Sequence, residues 1–182
     1  MKSYLITDKS FYKSGSISEF KETLESILNS YRVDYICFRD KESQNIEELI
    51  KVFLEVAHKF KIENILINSY INLAIKYQTG IHLTSQQFDK IDYCKKNNLF
   101  TICSTHSVEE IKKCSRADAI TYSPIFSTPN KGEPKGVENL KAILSKTDKK
   151  VFALGGVISQ KQIELLRESS VYGFASIRYF LT

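Results

Sequence analysis

The residue best suited to acid–base chemistry in this sequence lies where an apolar, strand-like segment ends. That segment, residues 100–104, is followed by His106, and the spacing of Ser107 and Glu110 is that of a capping box opening a helix. A neutral imidazole held in such a loop can take up and release a proton near pH 7. His106 is therefore the candidate catalytic residue.

The other two histidines have weaker claims to a catalytic role. His58 lies in the polar stretch of a predicted helix, where a surface or packing role is expected. His82 lies inside an apolar strand-like segment, so a buried structural role and a contact with a ligand are both open.

Two loops offer positive charge and hydrogen-bond donors to an anion. Pro124 ends the strand predicted over residues 119–123, and four polar side chains follow it, Ser127, Thr128, Asn130 and Lys131. Their hydroxyl, amide and ammonium groups suit a phosphate. Arg39 and Lys41 end another apolar segment and also favour a bound anion, with an exposed turn as the alternative interpretation.

Two turns of small residues near the end of the chain predict a phosphate site. A buried strand over residues 150–154 ends in Gly155 and Gly156, and a last short strand contains Ala175 and Ser176. Small residues before a helix expose backbone N–H groups, and these bind anions because the unpaired amides and the helix dipole point at the ligand. Barrels of the (β/α)₈ type place a phosphate site after their last two strands.

The segments that carry these residues alternate between strands and helices. Short apolar, β-rich runs occur at eight places, residues 3–7, 35–39, 64–68, 80–83, 100–104, 119–123, 150–154 and 172–176. Helical spacing lies between them, most clearly over residues 46–60, where apolar side chains form one stripe. Such alternation with nearly continuous apolar strands implies a parallel sheet buried on both faces, and eight units favour a closed barrel.

We therefore predict a single α/β domain over residues 1–182, a short (β/α)₈ TIM barrel whose final helix is truncated or missing. In such a barrel the carboxyl ends of the strands meet at one mouth, which would bring the polar residues described above together. The apolar wall left beside the last strand would be covered by a partner subunit in a homodimer.

Composition limits the classes of partner. The net charge of +5 suits phosphorylated substrates, and without a dense basic stripe or a recognisable module no nucleic-acid binding is expected. With no 18-residue apolar run and no signal peptide, we expect no membrane association and a cytoplasmic location. The cysteines lack CxxC spacing and are expected to be reduced thiols that bind no metal, namely Cys37, Cys94, Cys103 and Cys114.

Taken in order, these motifs resemble the TenI and thiamine phosphate synthase family along essentially the whole chain. The matching segments are residues 4–8, 39–41, 66–68, 80–83, 104–110, 124–131 and 153–156. The resemblance implies a (β/α)₈ barrel in thiamine biosynthesis that binds a phosphorylated thiazole. In the synthase branch it also implies a pyrimidine pyrophosphate as second substrate.

The resemblance implies roles for individual residues as well. Arg39 and Lys41 match the pair that binds pyrophosphate, and His106 matches the acid–base residue of the TenI branch. Gly155 and Gly156 match the glycines that hold the thiazole phosphate. Further polar residues match substrate-binding positions, namely Asn68, Ser104, Thr128 and Lys131.

The chain departs from the synthase pattern where that pattern binds Mg²⁺. Its two carboxylates align with Ser69 and Gln87, so neutral side chains replace both metal ligands. Magnesium neutralises a pyrophosphate leaving group, and the replacement should weaken that step, although Mg²⁺ could still arrive on the substrate. Cys37 and Asn130 also replace a Gln and a Thr of the pattern.

The TenI branch lacks the same acids and retains the run around His106. It is a thiazole tautomerase, which moves a proton to convert the initial thiazole phosphate carboxylate into its aromatic tautomer. That chemistry needs one well-placed imidazole and no cofactor. The leading interpretation is therefore a TenI-like tautomerase. The alternatives are a synthase with altered metal ligands, which would use Mg²⁺, and a non-catalytic regulator that keeps only a phosphate pocket.

Overall fold

A computed structural model describes residues 1–129 and 131–181 of the chain. Within these residues, eight parallel strands close into a barrel in which the order of the strands follows the chain. The strands are β1 (Lys2–Ile6), β2 (Tyr35–Phe38), β3 (Asn64–Asn68), β4 (Gly80–Leu83), β5 (Thr101–Thr105), β6 (Ala119–Tyr122), β7 (Lys150–Leu154) and β8 (Gly173–Ser176). The predicted (β/α)₈ barrel is confirmed.

Helices alternate with these strands. They are α1 (Ile17–Ser30), α2 (Ile46–Lys59), α3 (Ile71–Lys76), α4 (Ile91–Lys96), α5 (Val108–Lys113), α6 (Gly136–Leu144) and α7 (Gln160–Glu168). Shorter 3₁₀ turns lie at Lys9–Phe11, Phe88–Lys90 and Arg178–Leu181. The stripe predicted over residues 46–60 forms α2, in which Leu49, Ile50 and Phe53 are fully buried.

Alternate residues of each strand point into the barrel or towards the helices, because side chains along a strand alternate between its two faces. The interior holds a compact cluster separate from the larger one under the helices. Its buried members are Tyr4, Ile6, Tyr35, Cys37, Leu66, Ile102, Ala119, Phe152 and Ala175. The barrel is thus a packed core, and a ligand has to bind at its end.

After β8 the described residues form one 3₁₀ turn and no eighth helix, as predicted. Phe180 in this turn is 2% exposed, and its ring lies 5.5 Å from that of Tyr31 and 6.0 Å from that of Phe174. Phe180 therefore covers part of the apolar wall that a partner subunit was expected to cover. The homodimer stays a prediction.

Two further properties concern the described residues as a whole. None of their helices is long and apolar enough to cross a membrane. Their four cysteines are free and buried.

Candidate active site

Closure of the parallel barrel brings the carboxyl ends of the strands to one mouth, and most of the predicted site residues lie there. Arg39 follows β2, Asn68 ends β3 and Ser104 lies near the end of β5. His106 follows β5, while Gly155 and Gly156 follow β7. In barrels of this type the active site occupies the same end.

His106 is held by contacts to two neighbouring elements. Its backbone N–H donates to Glu110 Oε2 at 2.6 Å. Its ring Nδ1 lies 3.1 Å from the carbonyl oxygen of Ser123 and 3.2 Å from Ser123 Oγ. Because a carbonyl oxygen can only accept, we assign the ring proton to Nδ1. In the neutral ring Nε2 then carries a free lone pair, and it has no hydrogen-bond partner among the described residues.

The capping box predicted at Ser107 is only half formed. Ser107 Oγ accepts the N–H of Glu110 at 3.2 Å, as expected of an N-cap. The Glu110 carboxylate, however, binds the N–H of His106 and not that of Ser107. The start of α5 therefore fixes the backbone of the candidate catalytic histidine.

Three cationic side chains gather at the mouth, namely Arg39, Lys41 and Lys131, and we call them the basic cluster. The positive charge of Arg39 lowers the pKa of Lys41, and burial and the charge of Lys131 lower that pKa further. Like charges that affect one another in this way lie close together. A bound anion would relieve their repulsion, so the basic cluster is suited to a carboxylate, phosphate or pyrophosphate.

Thr7 and Asp40 hold the loop after β2, which carries Arg39 and Lys41 of the basic cluster. The N–H of Arg39 donates to Thr7 Oγ1 at 2.9 Å. The Asp40 Oδ1 atom accepts the N–H groups of Glu42 and Ser43 at 2.7 and 3.0 Å. Asp40 is 4% exposed, and its Oδ2 has no partner in the described part of the chain. Asp40 was not predicted to be a site residue, although an Asp that caps its own turn is a known local pattern.

The glycine pair after β7 packs tightly against the loop after β6. Both glycines have left-handed φ angles, +94° at Gly155 and +70° at Gly156. The N–H of Phe126 donates to the carbonyl of Gly155 at 2.9 Å, and a Cβ added at Gly156 would lie 2.5 Å from the carbonyl oxygen of Ser127. The N–H groups of the two glycines have no partner among the described residues, so they can bind an anion.

Ala175 and Ser176 lie beside this pair but offer no free side-chain donor. Ala175 is in the barrel interior. Ser176 Oγ donates to the carbonyl of Val157 at 2.7 Å and accepts the N–H of Tyr179 at 3.1 Å. Any contact of these two residues with a phosphate would therefore come from their backbone.

The loop after β6 contributes Thr128 and Lys131. Thr128 Oγ1 donates to the carbonyl of Phe126 in the same loop at 3.0 Å. An added Cβ at Gly155 would come 3.4 Å from the same Thr128 oxygen, so this hydroxyl borders the glycine pair. Asn130, also predicted as a substrate-binding residue, lies outside the described residues.

His82 and Ser104 are joined by a hydrogen bond inside the mouth. His82 Nε2 lies 3.0 Å from Ser104 Oγ, and His82 Nδ1 lies 2.9 Å from the hydroxyl of Tyr4. Burial, and secondarily the charge of Arg39, lowers the pKa of His82 to about 4. The His82 ring is therefore neutral at pH 7 and reaches a ligand only through Ser104. The hydrogen bond to Tyr4 was not predicted, because an aromatic residue in a strand is expected to be part of the core.

The two positions aligned with magnesium carboxylates form a neutral hydrogen-bonded bridge. Gln87 Oε1 accepts from the N–H and Oγ1 of Thr84 at 3.1 and 3.2 Å, and its Nε2 donates to the carbonyl of Ser69 at 3.1 Å. Ser69 Oγ donates to Asn68 Oδ1 at 3.1 Å, and Asn68 Nδ2 donates to the carbonyl of His82 at 2.9 Å. Mg²⁺ is usually bound through one or two carboxylates, and these neutral groups do not fit it. Among the described residues no group of three or more His, Cys, Asp or Glu side chains could hold a metal ion.

Sequence comparisons relate this chain to thiamine-phosphate synthases. A sequence model for a family described as thiamine monophosphate synthase matches residues 3–180. A protein of Aquifex aeolicus named putative thiamine-phosphate synthase 2 is 33% identical, covering 98% of this chain and 96% of that protein. Thiamine-phosphate synthase 1 of the same organism is 24% identical over 96% of this chain and 87% of that protein.

A solved structure shares the fold. Thiamine phosphate pyrophosphorylase from Pyrococcus furiosus aligns with a TM-score of 0.81 over 97% of this chain and 85% of that one. The sequence identity is 21%, so this likeness concerns the barrel architecture alone.

Proposed function

The chain belongs to the thiamine monophosphate synthase family of enzymes, and on that premise we propose that it is a thiazole phosphate tautomerase with His106 as its acid–base residue. The substrate is a phosphorylated thiazole carboxylate. The reaction moves one proton and completes the aromatic ring, so no atom is gained or lost.

The observation that carries this proposal is the 3.1 Å contact of the His106 ring with the carbonyl oxygen of Ser123. The Nδ1–H of the ring donates to this oxygen, which orients the ring and leaves Nε2 as a proton acceptor at the mouth. The Glu110 carboxylate fixes the backbone of the same residue. Nε2 takes a proton from the non-aromatic tautomer and returns it at the position that gives the aromatic product.

The remaining groups of the mouth bind the two charged ends of the substrate. The unpaired N–H groups of Gly155 and Gly156 hold the phosphate, as small-residue turns in barrels of this kind do. The basic cluster binds the carboxylate. The substrate is thereby fixed at both ends, which keeps the reacting atoms near His106.

A second candidate function is the synthase reaction, which joins a thiazole phosphate to a pyrimidine pyrophosphate. The names of the relatives favour it, and the basic cluster offers the positive charge that a pyrophosphate needs. Against it stand Ser69 and Gln87, whose neutral groups already bind one another where the synthase pattern has metal carboxylates. Of the two Aquifex aeolicus relatives, the one numbered 2 is more similar to this chain, with 33% identity against 24%.

Two assays on the purified protein separate the candidates. In the first, conversion of the non-aromatic thiazole phosphate carboxylate is followed without metal. We expect the unmodified protein, the parent of the variants below, to accelerate this conversion. In the second, the thiazole phosphate and pyrimidine pyrophosphate are supplied with and without Mg²⁺, and we expect little product. Turnover only in the second assay would establish the synthase. Phosphate binding with no turnover in either would favour a regulator.

A further inference from the structure

Three hydrogen-bonded polar side chains, Tyr4, His82 and Ser104, form a short chain inside the barrel. The Tyr4 hydroxyl lies 2.9 Å from His82 Nδ1, and His82 Nε2 lies 3.0 Å from Ser104 Oγ. Tyr4 is fully buried and His82 is 3% exposed, whereas Ser104 is half-buried at the end of β5. The rings of Tyr4 and His82 are also stacked, with centroids 5.7 Å apart. This chain of hydrogen-bonded side chains therefore runs from the core to the mouth.

The direction of these hydrogen bonds follows from the acceptors available to Tyr4. Burial raises the pKa of Tyr4 well above its usual range, so the phenol keeps its proton and must donate it. The groups in reach are His82 Nδ1 and the Cys37 thiol, which is itself placed to donate to the carbonyl of Phe38 at 3.6 Å. An imidazole nitrogen is a much better acceptor than sulfur, so Tyr4 donates to Nδ1.

That assignment fixes the rest of the chain. The neutral ring of His82 has one N–H, and with Nδ1 accepting, the proton is on Nε2 and is donated to Ser104 Oγ. The Ser104 hydroxyl then keeps its own proton free. No other partner of Ser104 Oγ is found among the described residues, and the neighbouring buried Thr121 hydroxyl does not bind it.

From this geometry we infer that Tyr4 and His82 are positioning residues that hold Ser104 as a hydrogen-bond donor to an acceptor atom of the substrate. The donors Tyr4 O–H, His82 Nε2–H and Ser104 O–H all point one way along the chain, and each bond strengthens the next. Ser104 would stabilise negative charge that develops on the substrate as His106 removes a proton. The identity of the substrate rests on the proposed function, but the direction of these hydrogen bonds does not.

The direction is measured on the ligand-free protein by nitrogen NMR of the histidine rings at pH 7. We expect His82 to be neutral with its proton on Nε2, its signals being assigned by their loss in His82→Gln. Tyr4→Phe keeps the ring and its packing but removes the hydroxyl, and it should abolish the preference for this tautomer. A proton on Nδ1 in the parent would overturn the inference, as would an unchanged tautomer in Tyr4→Phe.

A double-mutant cycle tests whether His82 and Tyr4 act through Ser104. Ser104→Ala should lower kcat about tenfold or more, on the scale of one hydrogen bond to a developing charge, with a smaller change in KM. Tyr4→Phe and His82→Gln should each lower kcat in the parent and have no further effect in Ser104→Ala. His58→Gln, on the exposed side of α2, is the matched control and should leave kcat unchanged.

Several results would contradict this inference. Full kcat in Ser104→Ala would remove the donor role, and additive losses in the double variants would show that Tyr4 and His82 only support the fold. If the parent itself lacks tautomerase activity, the proposed function fails, and the NMR result alone then decides the direction of the chain.

Discussion

Gly156→Ala is expected to destabilise the protein and to weaken its binding of inorganic phosphate. Gly156 has a φ of +70°, and an added Cβ would lie 2.5 Å from the carbonyl oxygen of Ser127 and 2.6 Å from the carbonyl carbon of Phe126. Both contacts are to backbone, so no flexible side chain can move away. The loop after β6 has to shift, and it carries Thr128 and Lys131 with it.

The size of the effect follows from two contributions. A left-handed conformation costs a non-glycine residue about 1 kcal/mol or somewhat more. Forcing one methyl group into a packed site costs roughly 1–3 kcal/mol in addition. Gly136 is a matched control, because its φ is +75° and nothing lies within 4 Å of an added Cβ. Gly136→Ala should therefore show the first contribution alone.

Urea unfolding of the parent and the two variants gives the free energies of unfolding, and titration calorimetry gives the affinity for inorganic phosphate. We expect a loss of about 2–4 kcal/mol for Gly156→Ala against about 1 kcal/mol for Gly136→Ala. Only the first variant should lose phosphate affinity. Equal losses of stability would refute the argument from close approach, and unchanged phosphate affinity in Gly156→Ala would remove the glycine pair from the phosphate site.

Three further outcomes are expected. The pKa of His82 falls from 6.5 to about 4 on folding, so the unfolded chain binds the proton more readily. The free energy of unfolding should therefore decrease by up to about 3 kcal/mol as the pH is lowered from 6.5 to 4. Urea unfolding of His82→Gln should not show that decrease. If the variant keeps the pH dependence of the parent, the titration of His82 is not its cause. Crystals grown with phosphate should hold the anion on the amides of Gly155 and Gly156, and an anion only at the opposite end of the barrel would argue against this site. Titration calorimetry should detect no tight Mg²⁺ binding to the ligand-free protein, since neutral groups occupy both aligned metal positions, and tight binding would show that other ligands exist.

Much of the barrel is predictable from sequence because each buried strand leaves a short apolar run between helical patterns. The predicted bounds of β3, β4 and β7 coincide with those observed, and the other strands differ at their ends by one residue. The carboxyl-end rule then places the candidate site residues at one mouth without knowledge of any contact. The turn at the glycine pair is also predictable from sequence, because its conformation is a local property.

Contacts between distant strands are what the sequence does not reveal. Tyr4 and His82 lie on β1 and β4, which are not neighbours in the barrel, so no pairing register links them. The carboxylate of Glu110 fits a capping box in sequence, but only its position in space shows that it binds His106. The buried Asp40 reads as part of a charged triplet, since nothing local marks it as buried.

Whether His106 carries the proton is tested by the tautomerase turnover of His106→Gln, compared with that of the parent and of His58→Gln. Removal of a general acid or base should lower turnover by roughly 10²-fold or more, while phosphate affinity stays close to that of the parent. His58→Gln should match the parent in both. If His106→Gln folds normally and isomerises the thiazole at the parent rate, His106 does not carry the proton and the proposed mechanism is wrong.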